Sequence, residues 1–198
     1  MNQIFSKFNL YDQIGYLLVG SIALMLAYVD FSVFNVSFPN FNLTNLPLWV
    51  VVAYFLGHVI QAVANILIRE KKEDFDESEK EILDLARKYF STEKGTDGEV
   101  WNLCYMLASA KDVSGQIQSF NAYYSLYRGW FIVFAVESLL IAAFTLYSFN
   151  LPKIVFLLIS SITAILFYRR LKRFYVYLRS KVLQTFIIVR ILEKDSGK

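Results

Sequence analysis

The stretch PLWVVVAYFLGHVIQAVANILIR, residues 47 to 69, decides how the chain is read. Placed on a helix at about 100° per residue, Tyr54, His58, Gln61 and Asn65 fall in one strip about 60° wide. The other positions from Val50 to Leu67 are Val, Ile, Leu, Ala or Phe, with Gly57 the one exception. The run is long enough to cross a hydrocarbon core of roughly 30 Å. A polar strip on such a helix has to face protein or water and not lipid.

The rest of the composition agrees with a membrane setting. Of 198 residues, 56% are apolar and 17% aromatic, and the mean hydropathy is +0.42. Soluble domains carry about 45 to 50% apolar residues even when Gly is counted. Cys104 is the only cysteine and His58 the only histidine, so an internal disulfide and a conventional zinc site are both excluded. The sequence has no Gly-rich phosphate loop, no GxSxG, no HExxH and no paired Cys motif. No Arg precedes Arg69, so His58 lacks the leading Arg that a HEPN-type ribonuclease requires. Neither an enzyme nor a cofactor is expected.

Taken in order, residues 1 to 12 place Ile4, Phe5, Phe8 and Tyr11 on one side of a short helix suited to the membrane surface. Residues 13 to 34 form a first span, expected to be retained because no small-residue cleavage site follows it. Asp30 lies near its far end, within reach of the interface. NVSFPNFNLTNLP is turn chemistry, and the second span is the opening stretch. From Arg69 to Arg128 the chain reads as a soluble helical domain. One predicted helix has Ile82, Leu85, Ala86 and Tyr89 on its inner face, and another has Val100, Leu103, Cys104 and Leu107. Ile117, Phe120, Tyr124 and Tyr127 keep helical spacing and lead without a breaker into a third span, about 129 to 149. SFNLPK turns into a fourth span, 151 to 168. A basic amphipathic helix follows, with Leu171, Tyr175, Leu178, Val182 and Val189 along one face.

The predicted fold class is therefore all-α: an integral membrane protein with four transmembrane helices, a helical domain between the second and third, and a C-terminal basic amphipathic helix. Its segments are 1–69, 70–128, 129–168 and 169–198. Lys and Arg concentrate on the cytoplasmic side of membrane proteins. The chain has one basic residue before the first span, nine from Arg69 to Arg128, one in the second turn (Lys153) and nine from Arg169 onward. Both termini are thus expected in the cytoplasm. Residues 69 to 128 carry nine basic and twelve acidic groups, whereas residues 169 to 198 carry nine basic and two acidic. The basic tail and the acidic middle segment are expected to meet, within or between subunits.

With the cytoplasmic span edges at Asp12, Arg69, Gly129 and Arg169, the residues Gly20, Gln61, Glu137 and Ser161 each lie eight positions inward. That is about 12 Å deep at 1.5 Å per residue. Glu137 would then be level with Gln61, with His58 about one turn further out. Two readings of this belt stand: interhelical hydrogen bonding that holds the bundle together, or the lining of a water-filled path. Arg169, Arg170, Lys172 and Arg173 are expected to contact anionic lipid or another subunit, in preference to nucleic acid.

The first span enters as DxxGYxxxG (Asp12, Gly15, Tyr16, Gly20), and the second carries FLGHxxQ (Phe55, Leu56, Gly57, His58, Gln61). In these motifs the chain resembles small multi-span bacterial membrane proteins associated with anti-phage defence, and among them the membrane accessory protein of type VI-B CRISPR systems. The resemblance implies a homo-oligomeric pore or ion channel in the inner membrane. In that reading, residues 70 to 128 receive a cytoplasmic signal or protein partner and Tyr54, His58, Gln61, Asn65, Glu137 and Ser161 line the path. The alternative is a membrane-anchored scaffold or sensor that recruits a cytoplasmic partner without conducting.

Overall fold

The computed structural model describes residues 13–33, 42, 44–68, 75–92 and 94–196. The predicted surface helix at residues 1–12, most of the first turn at 34–41 and the charged connection at 69–74 lie outside them. Every regular element among the described residues is helical. A π-helical segment, Gln13–Leu18, continues into α1 (Val19–Val33). Then come α2 (Leu46–Leu67), α3 (Glu77–Tyr89), α4 (Asp97–Lys111), α5 (Gln116–Tyr147) and α6 (Leu151–Ser196). Four helical stretches are long and apolar enough to cross a membrane: Gly15–Ser32, α2, α5 and α6. This is the all-helical, membrane-type chain that hydropathy predicts.

Local chemistry sets the helix limits. Pro47 stands in the first turn of α2, where its missing N–H costs no hydrogen bond and its fixed φ favours helix entry. Asp76 and Glu79 form a capping box at the start of α3, and Thr96 and Glu99 form another at α4. Accepting from the Glu79 backbone N–H and then from the Ser78 hydroxyl holds the Asp76 carboxyl below its ordinary 3.8. The fourth span and the basic tail are not separate helices. They are one 46-residue helix, because nothing between Leu151 and Ser196 interrupts the helical periodicity except Pro152 in its first turn.

The chain forms two compact units, one from residues up to 68 together with 122–173, the other from 69–121 together with 174–198. Both α5 and α6 contribute to each. In the first unit, Val19, Leu26, Leu126 and Val133 form the buried core, flanked by Ile60, Trp130, Phe134 and Phe156. Here α1 and α2 cross with backbone against backbone. A Cβ on Gly20 would come within 1.7 Å of the Ala53 carbonyl oxygen, and one on Gly57 within 2.0 Å of the Tyr16 carbonyl oxygen. Small residues permit this approach where the apolar solvent gives helices little reason to associate.

The second unit packs α3, α4, the first turns of α5 and the last part of α6. Its core holds Phe75, Leu83, Ala86, Val100, Cys104, Ala108, Ile117, Leu178, Val182, Leu183 and Phe186. The acidic middle segment and the basic tail meet inside this unit. Arg179 donates to Glu79 through Nε at 2.8 Å and Nη2 at 2.7 Å, and Tyr89 donates to Glu193 at 2.6 Å. The inner face of α3 differs from the sequence expectation. Glu79, Leu83 and Ala86 are buried, while Leu85 and Tyr89 are exposed. The face is turned by about 80° at 100° per residue, toward the Glu79–Arg179 pair, which apolar spacing alone does not register.

Replacing Gly57 or Gly20 with Ala forces the α1–α2 crossing apart, and each change is expected to cost about 1–3 kcal/mol. Thermal unfolding in detergent micelles measures this; two variants as stable as the parent would contradict the backbone contact.

Candidate functional site

One side chain holds three parts of the membrane unit together. Gln61 is 3% exposed. Its Nε2 donates to the Gly15 carbonyl at 3.0 Å and to the Ser125 carbonyl at 2.8 Å. Its Oε1 accepts from Arg128 Nη2 at 3.1 Å. A guanidinium has only donors, so the amide oxygen has to face Arg128 and the NH2 the two carbonyls. Gly15 belongs to the π-helical segment, and such turns concentrate at functional sites. Gly129 makes room for the node, since a Cβ there would meet Gln61 Nε2 at 2.8 Å and Val19 Cγ2 at 2.7 Å. Arg128 is buried and its guanidinium lies 5.1 Å from the Tyr124 ring centroid.

The polar strip of α2 is only partly turned inward. Ala53, Gly57, Gln61 and Ala64 are its buried residues. On a helix at 100° per residue, their centre lies about 75° from the centre of the Tyr54–His58–Gln61–Asn65 strip. Gln61 is the one position common to both. His58 and Asn65 are exposed and Tyr54 is half-buried. His58 is not isolated, however. Its ring stacks on Tyr16 with centroids 3.7 Å apart, and Tyr54 meets it edge-on at 4.6 Å.

The single belt anticipated from the sequence resolves into two layers. Gln61 is level with Gly15 and Ser125, not with Glu137, which lies twelve residues, about 18 Å, further along α5. The reason is that Arg128, placed outside the third span by its charge, is drawn into the unit as the hydrogen-bond partner of Gln61. Neither His58 nor Gln61 partners Glu137. Its carboxyl group instead lies beside that of Asp30, which the sequence sends to the interface. Glu137 is 4% exposed and its Oε1 has no hydrogen-bond partner among the described residues. Counted back from the hairpin at Ser148–Asn150, Glu137 and Ser161 are each ten residues from their helix ends, and so at one level. Neighbouring Ser160 is fully buried and its Oγ has no hydrogen-bond partner among the described residues, while Ser161 is half-buried.

Arg169, Arg170, Lys172 and Arg173 are exposed where the apolar part of α6 ends, with Lys172 Nζ 4.7 Å from the Tyr168 ring centroid. Among the described residues, no three His, Cys, Asp or Glu side chains converge as metal ligands. Two residues of the site escaped the sequence reading, Arg128 and Asp30. The signal for the first was the Arg128–Gly129 pair at a span edge, a cation followed by the residue that leaves space for its partner. Comparison of the chain with protein-family models, with curated proteins and with solved structures finds no match.

Gln61→Met removes the partner of two carbonyls and a guanidinium, and is expected to destabilise the protein by at least about 2 kcal/mol. Arg128→Met should cost less in that background than alone, with a coupling of about 1 kcal/mol or more in a double-mutant cycle. Additive effects in detergent unfolding would contradict the node.

Proposed function

We propose that the protein assembles as a homo-oligomer in a bacterial inner membrane, both termini in the cytoplasm, and that its assembled spans form an ion path gated through the segment 70–128. The observation that carries this is His58, exposed on a 22-residue apolar helix whose neighbouring face is already used against the first span, with only one side of its ring stacked on Tyr16. An imidazole facing hydrocarbon is costly, so a second copy or water has to cover it. Four spans joined by short turns are too few to enclose a conduit alone, and a cyclic array supplies one between subunits. Glu137 and Ser160, each buried with an oxygen that has no hydrogen-bond partner among the described residues, supply a second polar layer that suits an ion or water. The role in anti-phage defence rests on the resemblance carried by Gly15, Tyr16, Gly20 and the FLGHxxQ stretch.

The scaffold reading has its own support. The second unit has a closed apolar core and a bidentate Glu79–Arg179 pair, the build of a domain that can present a surface to a protein partner.

Cross-linking and conductance separate the two. Cys104 is fully buried and burial pushes its thiol up to about 12, so it stays unreactive. An introduced His58→Cys is then the reactive thiol, and it is expected to form dimers in membranes under oxidising conditions, whereas Val59→Cys is not. In planar bilayers the parent protein should conduct and His58→Leu should alter the current. Cross-linked protein that carries no current would favour the scaffold.

A further inference from the structure

The arginines at the end of the apolar part of α6 have a site built beneath them. Between α5 and α6 lies a cavity of about 510 Å³, lined by Arg169, Arg170 and Arg173 and by Tyr127, Trp130, Leu166 and Phe167. Its floor is aromatic and ordered. The Phe167 ring lies 5.0 Å from Trp130 and 5.9 Å from Tyr127, and Tyr127 meets Trp130 edge-on at 6.0 Å. Among the described residues no carboxylate pairs with any of the three arginines. Three guanidinium groups gathered at one opening repel one another until an anion neutralises them.

We propose that this cavity binds an anionic phospholipid, its phosphate held by Arg169, Arg170 and Arg173 and its glycerol and upper acyl region resting on Trp130 and Phe167. Guanidinium groups recognise phosphate oxygens in pairs, with a geometry that ammonium does not offer. Trp and Tyr at the edge of an apolar span occupy the headgroup level of a bilayer. The apolar surface continues from the cavity along Leu166, Ile165 and Ile162, exposed by 53%, 55% and 56%. This row gives acyl chains a track, and that distinguishes a lipid from a soluble phosphate, which would use the arginines and leave the floor empty.

The test uses Trp130 as the reporter, in a Trp49→Phe, Trp101→Phe background, with full-length protein in vesicles of phosphatidylcholine plus brominated lipid. Brominated phosphatidylglycerol is expected to quench Trp130 at far lower mole fraction than brominated phosphatidylcholine. The preference should amount to about fivefold per arginine and about a hundredfold for three. Arg169→Gln, Arg170→Gln and Arg173→Gln together should abolish it, the corresponding triple Lys variant, which keeps the charge without the paired guanidinium geometry, should retain only part of it, and Lys153→Gln should leave it unchanged. Equal quenching by the two lipids, or a preference that survives the triple Gln change, would overturn the proposal. So would its loss on adding excess inorganic phosphate, which would mark the cavity as a site for soluble anions.

Discussion

A single carboxamide sets the rotation of the second span. In hydrocarbon an unbonded polar group finds no water, so the Gln61 amide has one stable arrangement, with both N–H bonds directed to backbone carbonyls and its oxygen to Arg128. Once α2 is held at that angle, Ala53 and Gly57 have to face the first span, and the backbones close to a distance that only small residues permit. The same rotation leaves His58 on the flank, stacked on Tyr16 and exposed. Packing on one side and an uncovered polar surface on the other are two results of one set of hydrogen bonds.

The second unit is held together differently. Two of its helices begin with capping boxes at Asp76 and Thr96 that satisfy their free N–H groups locally. Charge separation along the chain, acidic in the middle and basic at the end, is used inside this unit through Glu79 and Arg179. A largely buried pair of this kind adds little net stability, because desolvation offsets the attraction, but losing one partner leaves the other charge uncompensated. Since α5 and α6 each supply residues to both units, the two units share two continuous helices.

How much of this the sequence disclosed depends on which physical signal each feature leaves. The four long apolar helices were legible because bilayer thickness imposes a length that few other environments demand. The helical tail face at Leu171, Leu178 and Val182 was legible from spacing, and all three are buried. Angular detail was not. The strip through Tyr54, His58, Gln61 and Asn65 is real as a pattern, yet the buried stripe of α2 runs beside it, because small size at Ala53 and Gly57 governs close packing and polarity does not. The depth of Gln61 was misjudged for a similar reason. Assigning Arg128 to the aqueous side follows from its charge, and only a partner 67 residues earlier in the chain reverses that assignment. Face selection on α3 likewise follows from a pair 100 residues apart, Glu79 with Arg179.

The account rests on one flank of α2 being covered by protein or water while its neighbouring face meets lipid. Spin labels placed singly at positions 58, 59 and 63 in reconstituted bilayers, read by relaxation with oxygen and with a water-soluble nickel complex, measure that difference directly. Position 58 should be shielded from oxygen or accessible to the nickel complex, whereas positions 59 and 63 should show the high oxygen access of hydrocarbon. The same lipid-type access at all three positions would contradict the account.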